Sequence, residues 1–365
     1  MKKFLSLVLA AVMVLSLAAC GGGKKDGAAD AGGTTKAAET TKAAETTKAA
    51  ESKTESKETT AAADSGKTFK IGFAAKGLSD AFTSMEASEY MRQAKENWAG
   101  KLEVLQVDCE FDTNKQIEVL ENFIAQDVDA IICQTDDPEA ILPIVEECKA
   151  KGIHFINDLA VDCDWAYEVE SDPQDDGQLL GEYAVKWLDE KKIENPTILF
   201  MQGEVGNQHA NAREKYCKEK LEAAGYTVTD TNTANWQRDE AIALMENWCQ
   251  VYDKIDAVIC ANDEMSLGVV QVLEQEGRLD GTMVISVDAL AGAVKSVADG
   301  KLTMTIGKDI VAGCDMSLQL AYDLCSGVDR SADKLQKVPK DIITLDDQET
   351  LQKWIDIHTA AGTYQ

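Results

Sequence analysis

Short apolar segments alternate with longer amphipathic segments through most of the chain, starting at Phe69. Segments such as KIGFAAKG at 70–77, DAIICQT at 129–135 and DAVICAND at 256–263 are typical of buried strands that end in a polar turn. The stretches between them, for example near 82–98, repeat apolar residues at helical spacing. Strands that alternate with crossover helices form parallel sheets covered by helices on both faces. The pattern therefore predicts an α/β fold.

The first twenty residues have the layout of an export signal. Lys2 and Lys3 precede an apolar run over 4–19 that is short for a membrane span. The run ends in Leu-Ala-Ala-Cys at 17–20, which resembles a lipobox, and Cys20 would become the lipidated first residue of the mature protein. We expect residues 1–20 to be a lipoprotein signal peptide, although an ordinary signal peptide with an incidental cysteine is the alternative.

A low-complexity segment follows at 21–66, where the hexad TTKAAE occurs three times between residues 34 and 51. It has no apolar stripe to bury, so its composition predicts a disordered linker. The remaining part, about 300 residues, is longer than a single compact domain usually is. This length predicts two lobes.

Charge and cysteine usage exclude several classes of site. The chain carries 64 acidic and 36 basic residues, a net charge of −28, which makes nucleic acid a poor partner. Nine of its ten cysteines remain after Cys20, so at least one stays unpaired if the others form disulfides. There is no CxxC motif and there are only three histidines, so the spacing supports no cysteine–histidine metal site.

Polar and aromatic residues cluster where the predicted strands end. In open α/β sheets, ligands bind beyond the carboxyl ends of the strands. The candidates selected by this rule are Asp80, Phe82, Asn157, Asp158, Asn207, His209, Trp236, Asn262, Asp288 and Lys308. For the acids that stand just before helices, Asp80, Asp263 and Asp288, a helix N-cap is the competing role, and we expect that role for Asp263.

Several longer segments carry a family resemblance. They include AYEVESDPQDDGQLLGEYAVKWL at 166–188, HANAREKYCKEKLEAAG at 209–225, TANWQRDEA at 233–241 and VISVDALAGAVKSVADGKL at 284–302. Together they resemble the sugar-binding type of periplasmic solute-binding proteins of ABC transporters, with the galactose/glucose-binding members nearest. The resemblance covers essentially all of 68–365.

The resemblance implies a periplasmic-binding-protein type I fold, with two doubly wound parallel-sheet lobes joined by three crossovers. The crossovers would lie near Ser171, near 309–311 and near 338–339. The N-terminal lobe would then comprise 67–170 plus 309–338, and the C-terminal lobe 171–308 plus 339–365.

The resemblance also implies roles for the candidate residues. Phe82 and Trp236 would stack on the two faces of a sugar ring, whose C–H groups pack on aromatic planes. Asp80, Asn262 and Asp288 would bond its hydroxyls, and Arg213 in the HANAR segment would donate to a ring or anomeric oxygen. Asn157 matches a family asparagine, but the loop is one residue shorter here, so Asp158 is the alternative.

This chain departs from the galactose/glucose pattern at three positions. Asn207 and His209 stand where those members have histidine and aspartate, and Lys308 stands where they have asparagine. Their calcium loop has no counterpart around 194–197, so we expect neither a metal nor a cofactor.

The expected function is a monomeric, non-enzymatic receptor. It would bind a neutral, glucose- or galactose-like monosaccharide between its lobes and deliver it to an ABC transporter permease, while Cys20 anchors it to the outer face of the cell membrane. Another polyol or a modified sugar, inositol-like or furanosyl, is the alternative ligand, and chemosensing is the alternative role. A hydrolase is disfavoured because there is no GxSxG motif, and a transcriptional regulator because there is an export signal and no DNA-binding helix pair.

Overall fold

A computed structural model describes residues 66–158, 163–170 and 172–364. The signal peptide with Cys20, the linker up to residue 65 and the crossover at Ser171 lie outside the described residues, so their assignments remain predictions from sequence. No helix in the described ranges is both long enough and apolar enough to cross a membrane.

The described chain alternates strands and helices as the sequence pattern predicts. The elements are β1 (Phe69–Ala75), α1 (Ala81–Glu96), β2 (Leu102–Asp108), α2 (Thr113–Ala125), β3 (Ala130–Cys133), α3 (Pro138–Lys151), β4 (His154–Asn157), β5 (Tyr167–Glu170), α4 (Pro173–Lys191), β6 (Ile198–Gln202), α5 (Gln208–Ala223), β7 (Asp230–Thr233), α6 (Arg238–Val251), β8 (Ala257–Cys260), α7 (Asp263–Gln275), β9 (Met283–Val287), α8 (Ala291–Ala298), β10 (Met304–Lys308), α9 (Ile310–Cys325), β11 (Leu335–Lys337), β12 (Lys340–Thr344) and α10 (Gln348–Ala360).

The strands form two six-stranded sheets, one in each lobe. The first has the order β11-β5-β4-β3-β1-β2, and all its neighbouring strands are parallel. The second has the order β12-β10-β9-β8-β6-β7 and is parallel except where β12 runs antiparallel to β10. The two lobes with parallel sheets confirm the predicted fold class.

The chain passes between the lobes at turns beside β10 and β11. After β10 it enters α9, whose Cys314, Leu318 and Ala321 belong to the hydrophobic core of the first sheet. It returns to the second sheet in the two residues between β11 and β12. Both turns therefore lie near the carboxyl ends of the parallel strands, the edge at which open α/β sheets bind ligands.

Helices cover both faces of each sheet, so the central strands are almost wholly apolar. In β1 only Lys70 is more than slightly exposed, and all residues of β8 and β9 are buried. Burial on both faces explains why these strands appear in the sequence as continuous apolar runs without alternation. The nine cysteines of the described residues all carry free thiols, and most are buried in these cores.

Candidate functional site

A cavity of about 400 Å³ lies between the two lobes, at the carboxyl ends of their strands. Its size is in the range of small-molecule binding sites. The first lobe contributes Lys76, Ser79, Asp80, Phe82, Thr83, Glu86, Phe111, Gln134 and Asp158; the second contributes Glu204, Asn207, His209, Arg213, Asn235, Trp236, Gln237, Asn262 and Asp288. The lining thus includes all the sequence-predicted candidates except Asn157 and Lys308.

Aromatic side chains from both lobes line the cavity. Trp236 lies against Gly203, where an added Cβ would come within 2.3 Å of the indole ring. Phe111 lies in the same way against Gly77, where an added Cβ would come within 2.2 Å of the phenyl ring. Both aromatic residues have left-handed backbones, with φ of 66° for Trp236 and 55° for Phe111. Such conformations are costly for bulky residues and are concentrated at functional sites.

Arg213 is anchored by acidic and carbonyl groups behind the cavity wall. Its Nη2 lies 3.0 Å from Asp176 Oδ2, its Nε donates to the same oxygen at 3.1 Å, and its Nη1 donates to the Ala261 carbonyl at 2.6 Å. The guanidinium carbon is 5.9 Å from the centre of the Trp236 ring. Arg213 is therefore fixed in orientation before any ligand arrives, and it has few remaining donors for a ligand.

Asp176 is fully buried and joins several cations. Besides Arg213, it accepts from Lys340 Nζ at 2.6 Å and lies 3.7 Å from Lys308 Nζ. Burial raises the pKa of the Asp176 carboxyl, but the charges of Lys308, Arg213 and Lys340 outweigh burial and hold that pKa below its usual value. Lys340 opens β12 and Lys308 closes β10, so this cluster connects the cavity wall to the turns that link the lobes.

Lys308 stands behind the aromatic wall instead of in the lining. Its Nζ is 4.9 Å from the centre of the Phe82 ring and the side chain is buried. Burial lowers the pKa of the Lys308 ammonium group, and Asp176 opposes that effect. A cation under Phe82 strengthens the placement of that ring by a cation–π contact.

Three of the candidate residues cap helices at the edge of the cavity. Asp80 accepts from Thr83 N at 2.9 Å, Asn207 from His209 N at 3.0 Å, and Asn262 from Met265 N at 3.0 Å. Asn262 also donates to the Trp236 carbonyl at 3.3 Å, so it helps to hold that aromatic residue. For Asp80 and Asn207, the capping bond occupies one side-chain oxygen and leaves the other polar atom for a ligand; Asn262 already uses both its polar atoms.

The prediction that Asp263 caps α7 is wrong, because Asn262 occupies the N-cap position of this helix. Asp263 is instead buried and accepts from Ser286 Oγ, Thr305 Oγ1 and Leu290 N at 2.5, 2.7 and 2.7 Å. These bonds tie the start of α7 to the loop that follows β9. Burial raises the pKa of the Asp263 carboxyl to about 7.

Asp288 is not an N-cap either, since α8 begins after Leu290. It is 5% exposed, has φ of 124°, and lies 3.8 Å from Arg213 Nη2. Burial raises the pKa of its carboxyl well above the usual value. The next residue, Ala289, is also left-handed and its carbonyl lies 2.7 Å from Nε2 of the buried His358 on α10. The C-terminal helix thus supports the strained loop that presents Asp288.

At the end of β4, Asp158 lines the cavity and Asn157 does not. Asn157 is buried beside Thr135, whose hydroxyl donates to its Oδ1. Asp158 accepts from Thr135 N at 2.6 Å, and burial raises the pKa of its carboxyl to about 7. Asp158, the alternative to Asn157, therefore takes the position in the cavity lining.

His209 lines the second-lobe side of the cavity with an unbonded ring nitrogen. Its Nδ1 is inaccessible to solvent and has no hydrogen-bond partner among the described residues. Burial, together with the charges of Lys308 and Arg213, lowers the pKa of the imidazole well below the usual value. The imidazole is therefore neutral, and its Nδ1 is shielded from the cavity.

The sequence reasoning missed several lining residues on the first lobe. Lys76 and Gln134 directly follow β1 and β3, so the strand-end rule could have identified them. Glu86 lies four residues after Phe82 on α1, the spacing that places two side chains on one helix face. Phe111 is harder to identify from the sequence, where it is only an aromatic residue within the polar segment after β2.

No cluster of three or more histidine, cysteine, aspartate or glutamate side chains within the described ranges could hold a metal ion.

The sequence of this chain is similar to that of a protein family and of individual relatives. A family model described as a periplasmic binding protein domain matches residues 71–329. A putative rhizopine-binding protein of Rhizobium meliloti is 31% identical over 267 residues, covering 70% of this chain and 84% of that protein. The D-galactose/methyl-galactoside binding periplasmic protein of Haemophilus influenzae is 26% identical over 289 residues, covering 74% and 85%.

A solved structure shares the same architecture. The ABC transporter solute binding protein of Bacillus halodurans C-125, with bound myo-inositol, aligns with a TM-score of 0.71 at 29% identity. The alignment covers 80% of this chain and all of that one.

Proposed function

The chain belongs to the periplasmic binding protein family, and we propose that it is a receptor for a sugar or polyol of monosaccharide size. The observation that carries this proposal is the cavity with aromatic walls on both lobes and a ring of amide, carboxylate and guanidinium groups between them. Sugar rings present apolar C–H faces to aromatic planes and hydroxyls to polar groups. Members of this family are substrate-binding proteins, and binding without conversion is the role we assign here.

A cyclic polyol is the second candidate, alongside a glucose- or galactose-like sugar. Two observations favour it. The related structure at 29% identity holds myo-inositol, and His209 and Lys308 depart from the galactose/glucose pattern. Similarity to ribose- and galactose-binding proteins supports a simple sugar as the other candidate ligand.

The proposal includes delivery of the ligand to an ABC transporter from a lipid anchor at Cys20. The similarity to an ABC transporter solute binding protein supports the delivery step, and the lipobox-like segment supports the anchor. Radiolabelled palmitate should be incorporated into the unmodified protein and not into Cys20→Ser. Labelling of both proteins, or of neither, would remove the anchor from the proposal.

Calorimetric titration with a ligand panel tests the binding function. The panel comprises glucose, galactose, ribose, xylitol and myo-inositol, extended by amino derivatives of the hexoses and of the inositol. We expect at least one compound to bind with a Kd in the micromolar range or below, because the cavity presents polar side chains from both lobes to which a complementary polyol can bond. Absence of binding by every member would contradict the proposed function.

A further inference from the structure

Carboxylates outnumber cations in the lining of the cavity. Five acids line it: Asp80, Glu86, Asp158, Glu204 and Asp288. The cations in the lining are Lys76 and Arg213. This excess of acids disfavours an anionic ligand and favours a cationic group.

Each of the nearby cations pairs with an acid outside the lining. Lys76 Nζ lies 3.3 Å from Asp136 Oδ1, and Arg213 Nη2 lies 3.0 Å from Asp176 Oδ2. Lys308, behind Phe82, faces Asp176 as well. Together, the lining and these partners hold seven acids, the five of the lining with Asp136 and Asp176, and four cations, Lys76, Arg213, Lys308 and Lys340, so acids remain in excess.

The acids of the lining make one ion pair among the residues that the structure describes, between Asp288 and Arg213 at 3.8 Å. Asp288 is 5% exposed, lines the cavity, and accepts no hydrogen bond from any described residue. Because a buried carboxyl whose polar atoms lack hydrogen-bond partners is costly, Asp288 points to a ligand group that bonds to it.

Glu86 and Asp158 face the cavity from the first lobe, each held by a neutral donor. Gln134 Nε2 donates to Glu86 Oε2 at 2.6 Å, and Thr135 N donates to Asp158 Oδ1 at 2.6 Å. Burial raises the pKa of both carboxyls, and the charge of Glu86 raises the pKa of Asp158 further. Both carboxyls therefore resist ionisation in this partly desolvated site, and a bound cation would stabilise their charged forms.

The geometry points to a ligand that is a polyol bearing a protonated amine, with its ammonium group held by Glu86 and Asp158 and its hydroxyls extending toward Asp288 and Arg213. This inference rests on the proposed function, because it specifies the chemical class of the ligand for the same cavity. Hydroxyl groups alone can donate to these carboxylates, but they bring no charge to offset the two acids. An ammonium group supplies three donors and a positive charge together.

Ligands that share a ring but differ in charge separate the effect of the ammonium charge from that of ligand shape. Calorimetry would compare each of D-glucose, D-galactose and myo-inositol with its amino-deoxy analogues, scanning the position of the amine, and with the uncharged N-acetyl forms. We expect at least one amine to bind about tenfold or more tightly than both its parent and its N-acetyl form. In Glu86→Gln that preference should fall to about threefold or less, since the neutral amide keeps the size of the side chain and loses the charge.

Glu96→Gln is the matched control, because Glu96 lies on the same helix, is exposed, and pairs with Arg92 outside the cavity; it should keep the full preference. Asp158→Asn repeats the test with the second carboxylate if Glu86→Gln does not fold. If neutral compounds bind but no amine binds about tenfold more tightly than both its parent and its N-acetyl form, or if the preference survives in both cavity variants, the inference is overturned while the proposed function stands. If neither neutral nor amino compounds bind, the proposed function itself fails.

Discussion

Replacing Asp176 with alanine is expected to lower the free energy of unfolding by about 3–5 kcal/mol, the usual cost of removing one partner from a buried ion pair. Asp176 is fully buried and contacts Arg213, Lys340 and Lys308 within 4 Å. Its loss would leave three cations close together in the interior without the acid that they share. Urea denaturation followed by circular dichroism would measure the change.

The neighbouring acid gives a matched control. Asp175 is partly exposed and pairs with the exposed Lys337 at 3.1 Å. Asp175→Ala should change the free energy of unfolding by less than about 1 kcal/mol, because solvent screens such a pair. Equal losses in the two variants would contradict the central role of Asp176.

The pH dependence gives a second measure of the same residue. The pKa of the Asp176 carboxyl is held below its usual value in the folded protein. Its stabilising contribution is therefore present above about pH 4 and is lost as the pH falls through the lowered folded pKa. The difference in stability between the unmodified protein and Asp176→Ala should shrink in that acidic range and stay constant from pH 5 to 7.

The fold and much of the cavity could be predicted because they depend on local pattern. Strands buried on both faces leave long apolar runs such as AIIC at 130–133, and helices between them force the parallel order. Since all parallel strands of a sheet end at one edge, polar residues after the runs converge there. Asp158, Trp236 and Asp288 were identified in this way and do line the cavity.

The rest depends on contacts between segments that are distant in sequence. Asp176 looks like one acid among several in DPQDDG, and only the fold brings Arg213, Lys308 and Lys340 to it. The N-cap of α7, predicted at Asp263 and found at Asn262, also depends on such contacts. The asparagine caps α7 because the aspartate is already bonded to Ser286 and Thr305 on neighbouring strands.

Replacing Trp236 with alanine is expected to weaken ligand binding by well over tenfold, a loss of more than about 1.4 kcal/mol in binding free energy. The indole ring lines the cavity and rests on Gly203, with Asn262 donating to its backbone carbonyl. It therefore offers a preformed plane to one face of the ligand ring. Its removal takes away that contact and does not lower the entropic cost of binding, because the ring is already ordered in the free protein. Calorimetry with the tightest ligand of the panel would measure the loss.

The variant should stay folded, because Trp236 is only partly buried at the rim of the core and its removal should cost less than the about 3–5 kcal/mol of a fully buried tryptophan. Trp236→Phe should retain much of the affinity, since a smaller aromatic plane remains on Gly203. Trp165→Ala removes another partly buried indole, one that bonds Glu146 away from the cavity, and should leave binding unchanged. If Trp236→Ala binds as tightly as Trp165→Ala, the aromatic wall of the second lobe does not contact the ligand, and recognition depends on Phe82, Phe111 and the polar groups alone.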